Sequence, residues 1–160
     1  MAALGRLKEA GVPAFGFWTR EIREGGVRRG FELELVSGGK EVLASANWPG
    51  PPRVGRYGVK VEVMDRLVVP EVERGVAASS RSSVVIVMDE IGKMELFSRA
   101  FQRVVISAFE SAARVLATIM ARPHPLAEAL KGRADTSLLT VSPSNREGLP
   151  RQVAEMLAGN

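Results

Sequence analysis

"VVIVMDEIGKMELFS", residues 84–98, decides how this chain is read. Val84 to Met88 are apolar without alternation, which marks a strand covered on both faces, the kind found in a parallel sheet. Downstream, Phe97, Phe101, Val104, Val105, Ala108 and Phe109 recur at helical spacing, with Ser98 placed to cap that helix. "RVLATIMA", 114–121, is a second apolar strand, "RPHP", 122–125, a loop, and "LAEALKG", 126–132, a short helix. "SLLTV", 137–141, reads as a third strand, and "REGLPRQVAEMLAG", 146–159, ends in a helix that aligns Leu149, Val153 and Leu157. The second half is therefore β-α-β-α-β-α, which predicts a parallel sheet with right-handed crossovers. Functional loops belong at the carboxyl ends of such strands, which places 89–95, 122–125 and 142–146 on one rim.

The first half reads differently. "MAALGRLKEA", 1–10, is the later part of an amphipathic helix, stopped by "AGVP" at 10–13. "AFGFWT", 14–19, is strand-like. "RRGFELELV", 28–36, alternates, "SGGK", 37–40, turns, and "EVLASA", 41–46, returns as the second arm of a β-hairpin. "NWPGPP", 47–52, is a loop and "YGVKVEV", 57–63, alternates as a strand. A helix follows across about 65–78, weakened by Pro70 and Gly75.

The chain has 160 residues, which suits a single domain, 1–160, with one core. It is 46% hydrophobic and 25% charged, with a formal net charge of +4 and a pI near 10.0, so anionic partners are favoured. Without cysteine it has no disulfide, zinc-thiolate site or cysteine nucleophile, and His124 alone cannot build a multi-histidine metal site. No apolar run approaches the roughly 20 residues of a membrane span, and no signal segment opens the chain, so the expected location is cytoplasmic and no membrane partner is expected. Nucleic acid is an unfavoured partner, because Trp18, Trp48 and Tyr57 are not interleaved with a basic run. Nothing in the residues sets an oligomeric state.

Asp89 and Glu90 leave the strand end together. Consecutive strand residues point to opposite sides, so one carboxylate can face a metal and the other a phosphate. That is how a P-loop nucleotide hydrolase presents its magnesium carboxylate and its base. A strand ending in a solvated acidic turn has the same pattern. Lys93 and Arg23 are candidates for phosphate contact, each with a plain alternative as a surface cation or ion-pair member. His124 and, before the last helix, Asn145 and Arg146 also fall on the rim; helix capping explains Asn145 equally well.

A phosphate cradle of the form G-x-x-x-x-G-K-[ST] is not found. Gly39-Lys40 has Glu34 and Glu41 where a glycine and a hydroxyl are needed, and Gly92-Lys93 has Val87 and Met94. "GPPRVGRY", 50–57, has Gly50 and Gly55 at the right spacing, but Arg56 and Tyr57 replace the lysine and the hydroxyl. It leads into a strand, whereas a cradle opens a helix.

Taken together, "GFWTREIREGG", "RRGFELELV", "VGRYGV", "MDEIGKMELFS", "PHPL" and "SNRE" stand in the order found in the thermophile-type nucleoside-triphosphatases, the small P-loop enzymes that include cancer-related nucleoside-triphosphatase. The chain resembles that family from about Leu4 to its end. The resemblance implies an α/β fold related to RecA and AAA+ domains: a mainly parallel sheet flanked by helices, with an inserted β-hairpin. It implies Mg2+-dependent hydrolysis of ATP, GTP and other nucleoside triphosphates to diphosphate and phosphate. By that carry-over Asp89 serves magnesium and Glu90 activates water. The strand segment Val84, Val85, Ile86, Val87, Met88, Asp89, Glu90 and Ile91 flanks the nucleotide. The alternatives are a non-catalytic nucleotide-binding or regulatory relative and, behind it, a nucleic-acid-binding module.

Family members open with a strand and a cradle of the form G-x-P-G-V-G-K-T, whereas this chain opens inside the helix that follows. The counterpart is a piece of about 15–20 residues, enough for a strand and a phosphate loop. Either Met1 is not the true start, or this is a relative without a cradle. In both cases these 160 residues are expected to be impaired or inactive in hydrolysis. With a central strand lost, a gap or a widened spacing is expected beside strand 84–88, and a continuous sheet with every neighbour paired there would defeat the truncation reading.

Overall fold

The structure is a computed structural model and describes residues 2–158; Met1, at the start of the expected first helix, and Gly159, at the end of the expected last one, lie outside the described residues. Seven strands form one mixed sheet: β1 (Ala14–Glu24), β2 (Val27–Leu35), β3 (Lys40–Ser45), β4 (Arg53–Val54), β5 (Tyr57–Val59), β6 (Val85–Ile91) and β7 (Arg114–Ile119). Their order across the sheet is β4-β5-β3-β2-β1-β6-β7. β1, β6 and β7 run parallel, and the remaining pairings are antiparallel. The helices are α1 (Ala2–Glu9), α2 (Val61–Val63), α3 (Val69–Ser79), α4 (Arg99–Glu110), α5 (Pro125–Lys131) and α6 (Leu149–Ala158). The α/β class holds, including the β2–β3 hairpin, but the sheet is mixed where a mainly parallel one was expected: two pairings are parallel and four antiparallel, because the hairpin and the short β4 and β5 extend the sheet from β1.

Alternation along the strands sorts side chains onto two cores. Phe17, Ile86 and Met88 pack with Val72, Phe101 and Val105 beneath α3 and α4. Trp18, Val85 and Val87 pack on the other face with Leu4 and Leu7 of α1 and Leu157 of α6. Each core strand thus buries both faces, as the unbroken apolar run in β6 requires. None of the described helices is long and apolar enough to cross a membrane.

The helix expected at 65–78 is longer and has a defect. Residues 61–79 are helical throughout, but Met64–Val68 form a wide π turn directly ahead of Pro70. Proline lacks the N–H that an uninterrupted α-helix would use, so the irregular turn sits where that bond is missing. The strand expected over 57–63 stops at Val59, because Val61 to Val63 begin this helix and Val63 turns into the core. Residues 50–57 lead into a small β4–β5 hairpin.

Two further expectations about the sheet fail. No gap lies beside strand 84–88: β6 is paired with β1 from Ala14↔Val85 to Trp18↔Asp89, and with β7 from Val85↔Arg114 to Met88↔Ala117. The sheet is continuous there, which removes the argument for truncation that rested on that position. Segment 137–141 is not a strand either. It has no neighbour to pair with, and Leu138 and Val141 are 59% and 66% exposed. The open edge belongs to β7, whose Val115, Leu116 and Ala117 are only half-buried where their partners on β6 are fully buried.

A buried carboxylate ties the sheet to α3. Glu71 is 1% exposed and accepts hydrogen bonds from the Gly16 N–H at 3.4 Å, from Ser37 Oγ at 2.9 Å and from Arg74. A buried charge is tolerated only when partnered in this way.

Candidate functional site

β6 extends to Ile91, so Asp89 and Glu90 lie within its last residues, before the turn at Gly92. The pairing of β6 with β7 shifts between Met88 and Ile91, so the acidic pair occupies an irregular stretch of the ladder. Val84 to Met88 and Ile91 are buried; of the expected nucleotide-flanking segment, Asp89 and Glu90 alone offer accessible side chains. The others form the frame.

Asp89 lies across from Trp18 of β1, and Thr19 Oγ1 donates to the Asp89 carbonyl at 3.4 Å. On its other side Thr118 of β7 donates from Oγ1 to Asp89 Oδ1 at 2.6 Å. A hydroxyl bond of that length holds the carboxylate in one rotamer and leaves the second oxygen available. Sequence reading passed over Thr118, a single hydroxyl in an apolar strand. Its signal was position alone, at the carboxyl end of the strand next to β6.

Glu90 faces a different environment. Its Oε1 and the Oε2 of Glu95 both come within about 3 Å of where a Cβ on Gly92 would stand, at 2.9 and 3.0 Å. Any side chain at 92 would press on both carboxyl groups. Burial raises the Glu90 carboxyl above its ordinary range, and the neighbouring Asp89 charge adds to this. Glu95 is 5% exposed. Its pKa is pushed up to about 7, mainly by burial, against the backbone N–H groups of Glu95 and Gly92, with the charges of Glu90 and Asp89 adding to the rise. Near neutrality the trio therefore does not carry three full charges. Sequence reading missed Glu95 because an acidic residue in a 3-10 turn, here Glu95–Phe97, gives no sign of burial.

The other candidates separate. Lys93 is exposed in the turn after β6 and, among the described residues, has no carboxylate within ion-pair reach. Arg23 is not brought to this rim. It lies near the β1–β2 turn, donating from Nε to Glu21 at 2.7 Å and from Nη1 to the Gly26 carbonyl at 2.9 Å. His124 caps α5, its Nδ1 accepting from the Leu126 N–H at 3.3 Å. Asn145 closes a turn, accepting from the Ser142 N–H at 2.8 Å and donating to the Thr140 carbonyl at 2.9 Å. An open groove of about 610 Å³ runs between residues 138–140 and α6, and none of Asp89, Glu90 or Glu95 lines it.

Among the described residues no three carboxylate or imidazole groups converge on a common metal position. Magnesium does not need that: it is commonly held by one or two carboxylates, with water and substrate phosphate completing the shell. Asp89, with one oxygen steadied by Thr118 and hard oxygen donors around it, fits such a role.

Known proteins resemble this chain in sequence and in fold. The chain is 37% identical over 147 residues to nucleoside-triphosphatase THEP1 of Thermotoga maritima, covering 92% of this chain and 82% of that protein. It is 36% identical over 152 residues to the human cancer-related nucleoside-triphosphatase, covering 89% and 80%. The crystal structure of THEP1 from the hyperthermophile Aquifex aeolicus superposes with a TM-score of 0.87 at 32% identity, covering 98% of this chain and 90% of that one. The solution structure of the human cancer-related nucleoside triphosphatase gives 0.83 at 33%, covering 99% and 89%. The NTPase family model matches residues 2–154, and the chain belongs to that family.

Proposed function

We propose that this chain carries the acidic half of a Mg2+-dependent nucleoside-triphosphatase site acting on ATP, GTP and related triphosphates. Asp89 is the magnesium carboxylate, Thr118 its positioning residue and Glu90 the base. The observation that carries the reading is the placement of Asp89 and Glu90 at the carboxyl end of β6 in two different environments. Magnesium, when bound, neutralises charge on the phosphate oxygens. Asp89 supplies its protein ligand, directly or through water. Glu90 accepts a proton from the water whose oxygen bonds to the γ-phosphorus; the bond from that phosphorus to the β–γ bridging oxygen breaks, and diphosphate and phosphate result. A base whose affinity for protons is raised by burial and by the Asp89 charge suits that step. Lys93, exposed beside the pair and without an ion-pair partner among the described residues, is the cation proposed to meet a phosphate.

Residues 1–160 contain no G-x-x-x-x-G-K-[ST] loop, so gripping of the phosphates is weak and turnover by this chain alone is low. The test compares phosphate release from ATP and GTP, with magnesium, by this chain and by a version carrying a strand and such a loop ahead of residue 2. The extended chain is expected to turn over. Glu90→Gln in it lowers kcat by about 10² to 10⁴-fold, the range for loss of a general base. Thr118→Val lowers it less and raises the magnesium concentration needed. Full activity in the extended Glu90→Gln variant sinks the assignment of the base. Robust turnover by the chain as it stands shows the loop to be dispensable.

A further inference from the structure

We propose that the far edge of the sheet, around Tyr57 and Trp48, is a binding surface for single-stranded nucleic acid, independent of the hydrolytic reading. Along the sequence the aromatic and basic residues of this surface are dispersed; folding gathers them. Arg28 and Arg56 hold their guanidinium carbons 5.6 and 5.5 Å from the Tyr57 ring centroid, and Lys60 Nζ lies 4.2 Å from that of Trp48. Arg53 joins them, donating to the Trp48 carbonyl at 2.6 Å and to the Arg56 carbonyl, while Arg56 donates to the Arg28 carbonyl at 2.9 Å.

Carbonyl groups and rings hold Arg53, Arg56 and Lys60, whereas Arg28 donates from Nη1 to Glu21 Oε1 at 2.5 Å and from Nε to the Tyr57 hydroxyl at 3.1 Å. Among the described residues Arg53, Arg56 and Lys60 have no acidic partner, and Arg28 and Arg23 share one, Glu21. Three of these five cations therefore have no carboxylate within ion-pair reach among the described residues. The cations are held in place before any ligand arrives, which lowers the ordering cost of binding a polyanion.

A single strand fits better than a duplex. The cations stand close about two aromatic rings, on the β4–β5 hairpin and its flanks, an arrangement that suits stacked bases with their phosphates alongside. Trp48 is half-buried and seated on β5, where a Cβ on Gly58 would stand 2.6 Å from the Trp48 carbonyl oxygen. A fixed indole beside a row of guanidinium groups offers a base something to stack on while phosphates meet the cations.

The test is fluorescence anisotropy of the whole chain with a labelled oligouridine of about 12 nucleotides, a length suited to a short stacking site. Binding is expected at about 50 mM salt and weakens steeply towards about 200 mM. Arg53→Gln with Arg56→Gln removes two phosphate contacts and lowers the log–log salt slope by roughly 1.4, with an affinity loss of about tenfold or more. Lys60→Gln touches no backbone carbonyl and is a second variant should the first perturb folding; it lowers the slope by about 0.7. Trp48→Leu weakens binding with the slope unchanged. Arg99→Gln with Arg103→Gln, on exposed positions of α4, leaves binding as it was. Absence of binding at low salt overturns the proposal, as does parental affinity in the Lys60 and Arg53/Arg56 variants. So does tighter capture of a phosphoserine peptide or of duplex DNA, or displacement of the oligonucleotide by magnesium-ATP, since the surface then belongs to another ligand.

Discussion

Glu95 shows how much one residue type depends on where the backbone leaves it. A glutamate in solution loses its proton near pH 4.5; this one, 5% exposed beside Glu90, holds it until about 7. Because the folded state binds that proton more tightly than the unfolded chain, its contribution to stability is fully present below about pH 4.5. It declines as pH rises and is lost as the folded-state pKa is passed. A rise of that size in a group so buried corresponds to on the order of 3 kcal/mol. Glu95→Gln, isosteric and neutral, is expected to flatten the fall in stability between pH 5 and 8 and to be the more stable chain at pH 8. Urea unfolding at both pH values checks this, and an equally steep fall in the variant would show that Glu95 is not its source. At this scale the sequence made the position of Asp89 and Glu90 at a strand end legible, because an apolar run that breaks into two carboxylates marks that end. It was mute on the bond from Thr118 to Asp89 and on the burial of Glu95, which come from a neighbouring strand and from packing and leave no local pattern.

The elements divide along the same line. β6 and α4 were readable because their signals are internal: an unbroken apolar run, and a helical repeat opened by Ser98, whose Oγ accepts from the Phe101 N–H. Segment 137–141 has an equally strand-like composition but no partner, and a strand exists only in pairing. Gly16 has the opposite character, inconspicuous in sequence and decisive in the sheet. Its φ is +113°, and a Cβ there would lie 1.9 Å from the Val87 carbonyl oxygen, inside the β1–β6 ladder. Its N–H also reaches Glu71, and its carbonyl accepts from the Val36 N–H at 2.8 Å. Gly16→Ala is expected to cost on the order of 3 kcal/mol or more, since backbone strain and a steric clash with main chain add. Gly5→Ala is the control: nothing stands within 4 Å of a Cβ there, and alanine in a helix is worth about 0.5–1 kcal/mol over glycine. Opposite signs of ΔΔG in denaturant unfolding support the assignment, and a mild loss at Gly16 shows that β1 can move away from β6.

For the molecule as a whole, the continuous sheet at β6 shifts attention to the one side where coverage is thin. β7 presents an unpaired edge, its apolar residues half-buried, and Leu138, Leu139 and Val141 stand exposed. Leu4 and Leu7 of α1 belong to the same hydrophobic cluster as Leu116 of β7. A strand running into α1 through a phosphate loop would satisfy the edge, cover the exposed leucines and bring backbone N–H groups to a helix N-terminus, where phosphate binds well. In the version of the chain carrying such a segment ahead of residue 2, residues 137–141 are then expected to join the sheet as its next strand, the conformation their composition favours. Hydrogen exchange reads this directly. Amides of Leu138–Val141 and the outward-facing amides of Arg114–Ile119 should slow by about tenfold or more relative to the chain as it stands, while those of β6, already paired on both sides, change little. Unchanged exchange at both segments, in an extended chain that is otherwise folded, would mean that the added strand pairs elsewhere and that the β7 edge is not its place.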